Sequence, residues 1–598
     1  MSTGRFLRLL LELLALSWKH YPLATGATLV VKVVWAGLTP VMALALRGAI
    51  DAISLGDGRS AVVAAAAAAV AFALQNYLRD LDRLLDKMLV DRVGAIHLRP
   101  RIEHTIAGLT GLEHLERTDL LDRITVLRWG GWRLVAVMWR AVAAVFALIK
   151  LGLLLAVLGV VVDPWLLLLL AFAAAPIWFE RRGQEAVGRA ELDTAEAFRL
   201  QRHLFNLATG PAGGKEIRVG GAGERIAGLQ RQAWAEAMDR RFRARVRAAA
   251  WKLGGWTLFT LGFGAGLGLV VARTAAGDGT VGDLVLAITV AMTLRNALQE
   301  TLFGVNDALG GRTLAEPYLW LRDYAATARA NGDKPIPATL SHGISFEAVS
   351  FTYPDTGRPA LDGVSCHLPA GSVVAIVGEY GSGKTTLVKL LAKFYTPASG
   401  RILVDGHDLS SLSTVDWWAR SSAAFQDFGR FQIRFGETIG IGDLPHLDDR
   451  DRIGEAVRAA DAGNLVERLP EGLDTQLGHK LEGIELSEGQ WQKTALARAC
   501  MRPEPLLLVL DEPTASLDAP SEHAIFERYM RRARGLAERT GAITVVISHR
   551  FSTVTGADRI LVLDGGRLIE QGSHEELVAA GGRYAELYAI QADAYSRS

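Results

Sequence analysis

The sequence has 598 residues, half of them hydrophobic, and a formal net charge of +1 at neutral pH. This charge balance gives no support for nucleic-acid binding, which requires an excess of basic residues. The two cysteines exclude a disulfide framework, and their position in the second half fits a reducing cytosol. A positive mean hydropathy, with long Ala, Leu and Val runs in the first half, favours a membrane protein over a soluble enzyme.

Six stretches of the first half are candidate membrane spans, because the hydrocarbon core takes about 20 mostly apolar residues. Six such runs in one half favour spans over buried core helices, and they predict an all-α six-helix transmembrane domain. The stretches are residues 23–46, 61–77, 141–161, 165–179, 253–271 and 281–305.

The connections between the spans predict their orientation. Two long connections, residues 79–133 and 180–247, are rich in Arg, whereas the others are short and carry little positive charge. The positive-inside rule therefore places the long loops and both termini in the cytoplasm. The excess of Arg over Lys, with abundant Ala and Gly, is typical of a GC-rich bacterium, so we expect a multi-pass protein of the bacterial cytoplasmic membrane.

Charged residues interrupt several apolar runs. Arg8 and Glu12 break the N-terminal run, which favours an amphipathic helix on the inner membrane face over a signal peptide. Lys150 lies near the centre of its span and favours a polar translocation pathway. For Lys32 and Arg295, a position near a cytoplasmic mouth, or snorkelling to it, is the simpler interpretation.

The second half alternates strand-like and helix-like stretches, which predicts an α/β domain. We therefore expect a multidomain membrane protein with three parts: a transmembrane domain over residues 1–325, a linker over 326–340 and an α/β P-loop nucleotide-binding domain over 341–598.

A phosphate-binding P-loop, G-x-x-x-x-G-K-T, lies between a strand-like and a helix-like run, a context that favours it over a chance match. Its glycines let backbone N–H groups turn towards a triphosphate at a helix N-terminus. Lys384 is placed to meet the β- and γ-phosphates of the nucleotide, and the Thr385 hydroxyl to meet Mg²⁺. The motif and the residue after it are Gly378, Glu379, Tyr380, Gly381, Ser382, Gly383, Lys384, Thr385 and Thr386.

Two further apolar strands end in residues that can do chemistry. One ends in Asp511 and Glu512, a Walker B pattern in which Asp511 can hold Mg²⁺ through water and Glu512 can polarise an attacking water. The other leads to His549, at the edge of a parallel sheet where ligands bind, although a lone histidine is more often structural. Tyr353, about 25 residues before the P-loop, could stack on a purine or could be an ordinary surface or core tyrosine.

The most specific element is the signature segment, Leu486-Ser487-Glu488-Gly489-Gln490, which lies between the P-loop and the Walker B strand. This series of motifs covers most of residues 346–572 and closely resembles an ATP-binding cassette. The membrane half resembles an exporter-type transmembrane domain, so the whole chain resembles a half-transporter of the ABC family. The motifs are Tyr353, the P-loop, Gln426, the signature segment, Asp511-Glu512, Ser516-Leu517-Asp518 and His549.

The resemblance implies a role for each matching residue. Tyr353 would stack on adenine, and the P-loop with Thr386 would hold the phosphates of ATP. Thr385, Gln426 and Asp511 would hold Mg²⁺. The catalytic set would be Glu512 as general base, His549 as sensor of the γ-phosphate, and Gln426.

The resemblance also implies a dimer, because part of each site would serve the opposite cassette. Ser487, Gly489 and Gln490 would reach the partner's ATP, and Asp518 would link the two sites. The stretches near 115–123 and 210–218 lie midway in the two long loops, where such exporters dock on their cassettes. A homodimer is the simplest assembly, and a heterodimer with a related half-transporter stays open.

One departure concerns Glu488, which stands where the family commonly has Gly. A carboxylate there is unfavourable near a partner's ATP unless it points away or meets a cation.

Two sequence segments, residues 424–428 and 476–493, resemble the corresponding segments of exporters of lanthipeptides and related ribosomal peptides. With no cysteine before Cys366, we expect no N-terminal cysteine protease of the kind that some peptide exporters carry.

The leading functional hypothesis is ATP-driven export of a peptide or hydrophobic small molecule by a dimer in contact with membrane lipid. A lipid flippase or multidrug exporter is the first alternative, and an importer on the same fold also stays open. An ATP-gated channel or sensor is the non-transport alternative, and the presence of both Glu512 and His549 favours true turnover over a passive gate.

Overall fold

A computed structural model describes residues 2–328, 332–354, 356–513, 519–548 and 554–596. Contacts divide the chain into two compact units. The first comprises residues 1–104 and 126–320, and the second comprises residues 105–125 and 321–598. The second unit thus includes residues 105–125, a piece of the first long loop. The domain boundaries expected from the sequence stay a prediction.

The first unit is helical, and the described residues contain six helices that are long and apolar enough to cross a membrane. The predicted six-helix domain is thereby confirmed. The helices that begin in this unit are α1 (Thr3–His20), α2 (Pro22–Ser54), α3 (Gly58–Leu89), α4 (Arg99–Ala107), α7 (Leu134–Val161), α8 (Leu169–Asp193), α9 (Ala195–Thr209), α10 (Pro211–Val219), α11 (Gly223–Ala276), α12 (Val281–Gly310) and α13 (Arg312–Ala328). Two short helices, α5 (Glu113–Glu116) and α6 (Thr118–Gly130), begin in the loop segment 105–125.

The long loops of the sequence are largely continuations of the spans. Helix α3 passes through a π-helical segment, Val90–Leu98, into α4. Helix α11 has 54 residues, which at 1.5 Å per residue gives a length of roughly 80 Å. Because the hydrocarbon core is about 30 Å thick, only part of α11 can lie within it.

Two of the charges that interrupt the predicted spans, Lys32 and Lys150, have partners, which lowers the free-energy cost of burying them. The Nζ atom of Lys32 lies 2.8 Å from Asp82 and 3.0 Å from Asp86, and its side chain is only 2% exposed, so Lys32 does not snorkel. The Nζ atom of Lys150 lies 2.5 Å from Glu300.

The second unit carries two sheets. The strands are β1 (Gly343–Thr352), β2 (Pro359–Pro369), β3 (Val373–Val377), β4 (Ser399–Val404), β5 (His407–Asp408), β6 (Ser421–Ala424), β7 (Leu507–Asp511), β8 (Ile543–Ile547), β9 (Arg559–Asp564) and β10 (Arg567–Gly572). A four-stranded antiparallel sheet has the order β2-β1-β4-β5, and a six-stranded sheet has the order β10-β9-β3-β8-β7-β6. In the second sheet all neighbouring pairs are parallel except β9 with β10.

Helices cover the six-stranded sheet, and β3, β7 and β8 are buried throughout, as expected for central strands of a parallel sheet. This α/β unit confirms the predicted fold class. Its helices are α14 (Lys384–Leu391), α15 (Thr414–Ala419), α16 (Phe435–Gly440), α17 (Arg450–Ala459), α18 (Gly463–Arg468), α19 (Glu488–Ala499), α20 (Ala519–Thr540), α21 (His574–Ala580) and α22 (Arg583–Ser596).

Candidate functional site

The P-loop joins β3 to α14. Gly378, Gly381 and Gly383 all have positive φ angles, at +152°, +80° and +102°. A Cβ atom on Gly378 would lie 2.2 Å from a backbone oxygen, and one on Gly383 would lie 2.6 Å from another. Side chains at these two positions would therefore break the loop, and the glycines leave its backbone N–H groups able to face a phosphate chain.

Lys384 begins α14 and lies inside this loop. Its Nζ atom donates hydrogen bonds to the backbone oxygens of Gly378 at 2.9 Å and Glu379 at 2.8 Å. Burial lowers the pKa of Lys384, and the nearby carboxylates of Glu512 and Asp511 act in the opposite direction. The lysine is thus held by backbone oxygens that phosphate oxygens can replace.

The topology of the sheet explains why distant motifs meet. Strands β3, β8, β7 and β6 run parallel in adjacent positions, so their carboxyl ends share one edge. The P-loop follows β3, Asp511 ends β7, and Gln426 lies two residues after β6.

Glu512 and Gln426 are in contact at this edge. The Nε2 atom of Gln426 donates a hydrogen bond to Oε2 of Glu512 at 2.9 Å. Glu512 has a φ of +48°, a strained value for a residue other than glycine and one that clusters at functional sites. Its backbone is fixed by a hydrogen bond to Ile547 and another from the side chain of Gln492.

Asp511 lies in an anionic and buried setting. Burial raises its pKa to about 6, and the carboxylates of Glu512 and Asp427 act in the same direction. A cation close to Asp511 would relieve both effects, and carboxylate, hydroxyl and amide oxygens are the donors that Mg²⁺ prefers. The residues Thr385, Gln426 and Asp511 therefore fit a magnesium ion in their chemistry.

Tyr353 packs in an aromatic group against Phe351 and Tyr395, with ring centroids 4.9 Å and 5.5 Å away. Its hydroxyl lies 3.3 Å from that of Thr386, and Nζ of Lys389 lies 5.7 Å from its ring centre. Tyr353 is thus fixed beside the first turn of α14, and its stacking on adenine stays a prediction.

The loop segment 105–125 joins the same cluster within the second unit. The carboxylate of Glu116 lies 2.7 Å from Nζ of Lys389 and accepts a hydrogen bond from the hydroxyl of Tyr395. Glu116 belongs to the stretch near residue 115 for which the sequence predicts docking, and that docking stays a prediction.

The signature segment forms the start of α19. Ser487 caps the helix: its hydroxyl accepts a hydrogen bond from the backbone of Gln490, and its backbone donates one to the Gln490 side chain at 2.8 Å. Gly489 lies between them in the first turn. Glu488 meets a cation, since Nη2 of Arg430 lies 2.5 Å from its Oε2 atom.

The structure describes only some of the remaining site residues that the sequence predicts. His549 and Asp518 lie outside the described residues. Thr385 is exposed on α14, Tyr380 is 98% exposed, and Glu379 pairs with Arg583 at the start of α22. Sequence reasoning assigned no role to five residues, although Glu116 lies in the predicted docking stretch and Gln492 in the segment 476–493. The five are Arg430, Gln492, Glu116, Lys389 and Tyr395.

The fold and the clustered motifs define a class of protein: a helical membrane unit followed in one chain by a P-loop nucleotide-binding domain. Comparison with known families agrees, since the ABC transporter family matches residues 361–515. This match indicates an ATP-binding domain.

Similar proteins narrow the class. The chain is 40% identical over 331 residues to an ATP-dependent lipid A-core flippase of Burkholderia pseudomallei, an alignment covering 54% of this chain and 52% of the relative. It is 43% identical over 248 residues to the protein of the same name in Methylococcus capsulatus, covering 42% and 40%. The chain thus spans about half the length of the curated relatives it matches.

A solved structure matches nearly the whole chain. It is a bacterial Atm1-family ABC exporter with ATP bound, with a TM-score of 0.75 at 27% identity, covering 95% of this chain and 98% of that one. Residues 361–515 therefore carry an ABC transporter ATP-binding domain, and the whole chain has the fold of an exporter-type half-transporter. It is a multi-pass membrane protein with a cytoplasmic ATP-binding domain.

Proposed function

We propose that this chain hydrolyses ATP to drive export of a peptide or hydrophobic small molecule across the bacterial cytoplasmic membrane. The observation that carries the proposal is the shared sheet edge, where Lys384, Asp511 and the hydrogen-bonded pair Glu512 and Gln426 come together. The same chain carries six apolar helices, so ATP hydrolysis at this edge can be coupled to transport across a membrane.

The chain's own residues account for hydrolysis. The P-loop and Lys384 bind the phosphates, and Tyr353 stacks on the base. The carboxylate of Glu512 takes a proton from the attacking water, and Gln426 holds that carboxylate in place through the 2.9 Å hydrogen bond. Mg²⁺ would be held by Thr385, Gln426 and Asp511 and would neutralise charge that develops on the phosphates.

We propose a homodimer as the working assembly, with a heterodimer as the alternative. In the dimer Ser487, Gly489 and Gln490 contact the ATP bound by the partner, Asp518 links the two sites and His549 contacts the γ-phosphate. The position of these residues at the start of α19 supports this role, because a helix N-terminus attracts phosphate.

A lipid is the second candidate for the cargo. The names of the matched relatives favour it, since those proteins are lipid A-core flippases. Both cargo classes are apolar or amphipathic, and Lys32 and Lys150 with their carboxylates place paired charges on the apolar helices.

ATP turnover by the purified full-length protein in lipid nanodiscs tests the proposal. We expect Mg²⁺-dependent phosphate release that rises when the cargo class is added, with a glycolipid, a hydrophobic peptide and a hydrophobic dye as three separate probes. Turnover that no probe changes would remove support for these cargo classes, and no turnover at all would overturn the proposal.

A further inference from the structure

Arg430 and Glu488 form an ion pair between two motif-bearing segments. Glu488 is the first residue of α19, and Arg430 lies four residues after Gln426. Both side chains are about half exposed, at 51% and 49%.

The position of Glu488 creates an electrostatic conflict. The positive end of a helix stabilises a carboxylate in its first turn, and the same end attracts a phosphate. Ser487 and Gly489 flank Glu488, so an incoming phosphate would approach this carboxylate closely. Two like charges at such a site repel each other strongly unless a cation lies between or beside them.

Arg430 supplies that cation without being needed as an anchor. The segment around it is already fixed to α19 by Arg498, which donates hydrogen bonds to the backbone oxygens of Thr438 at 2.8 Å and Gly429 at 3.2 Å. The guanidinium of Arg498 also lies 4.5 Å from the ring centre of Phe431. Loss of Arg430 would therefore remove a charge while the loop keeps its other attachments.

We propose that Arg430 is a positioning residue that neutralises Glu488 and so keeps the signature segment able to receive the phosphates of an ATP bound to the partner subunit. The inference rests on the proposed function, because it assigns a role to Arg430 in that same site. With Glu488 neutralised in this way, the signature segment can bind phosphate although a glutamate stands where the family commonly has glycine.

A double-mutant cycle in ATP turnover tests the inference. The variants are Arg430→Ala, Glu488→Gly and the double variant, with Arg430→Lys to keep the charge. Arg401→Ala is the matched control, because Arg401 forms an exposed pair with Glu347 at 2.6 Å in the same unit.

We expect Arg430→Ala to lower kcat/KM for ATP about tenfold, because it leaves the Glu488 charge uncompensated. Arg430→Lys should recover most of this loss, and the double variant should lie within about twofold of Glu488→Gly. High salt should shrink the defect, since the charges are half exposed. Arg401→Ala should match the wild-type protein.

Three results would overturn the inference while the proposed function stands. The first is an equal loss from Arg430→Ala with and without Glu488, and the second is a loss that Arg430→Lys does not recover. The third is an Arg430→Ala variant whose ATP turnover is unchanged. A wild-type protein without ATP turnover would instead overturn the proposed function, and the inference with it.

Discussion

Replacement of Asp511 by Asn should stabilise the nucleotide-free protein at neutral pH, although Asp511 is assigned to the site. Burial together with Glu512 and Asp427 raises the pKa of Asp511 from 3.8 to about 6. A pKa that is higher by about 2 in the folded protein than in the unfolded chain corresponds to about 3 kcal/mol of destabilisation of the fold while Asp511 is ionised. Asparagine removes this charge at nearly constant volume.

The sign of the pH dependence follows from the raised pKa. The folded protein binds the proton more tightly than the unfolded chain, so the penalty is complete above about pH 6 and disappears below about pH 4. The advantage of Asp511→Asn should therefore be largest at pH 7.5 and about half as large at pH 5.

Thermal unfolding of the purified full-length protein, read by intrinsic fluorescence, gives the comparison. We expect Asp511→Asn to raise the unfolding temperature at pH 7.5 by several degrees. Mg²⁺ with ATP should stabilise the wild-type protein more than the variant. Asp474→Asn is the control, since Asp474 forms an exposed pair with Arg450. A variant that is less stable than wild type at pH 7.5 would refute the reasoning.

Three further outcomes are expected. Glu512→Gln should lower ATP turnover by about 10²–10⁴-fold, because it removes the base but keeps an oxygen that accepts the hydrogen bond from Gln426. ATP binding, measured with a fluorescent analogue, should persist. Turnover near the wild-type rate would refute the choice of base. Lys384→Ala should weaken binding of the same analogue, and unchanged affinity would contradict its phosphate role. Cys366 and Cys500 are buried, and burial raises the pKa of both thiols, that of Cys366 to about 12, so a maleimide should label them in denatured protein but hardly in folded protein.

Hydropathy and motif spacing predicted much of the fold for physical reasons. Apolar runs must be long to cross a bilayer, so all six spans were visible in the sequence. The long loop before the fifth span had a helical pattern, but its continuity with that span in the single helix α11 was not visible, because the first part of α11 is polar and hydropathy marks only the apolar part.

The candidate site, like the fold, could be predicted only in part from the sequence. The P-loop, Asp511 and Glu512 are adjacent to strands with strong local patterns, so their places at the sheet edge could be expected. The pairings of Gln426 with Glu512 and of Arg430 with Glu488 join residues 86 and 58 positions apart. Such contacts depend on strand order and loop path, which one sequence does not reveal.

Transport into inside-out membrane vesicles tests the central claim most directly. Vesicles that contain the wild-type protein should accumulate a labelled probe of the correct cargo class when ATP is added outside, and vesicles with Glu512→Gln should not. Accumulation by right-side-out vesicles, or equal accumulation with the wild-type and Glu512→Gln proteins, would contradict ATP-driven export.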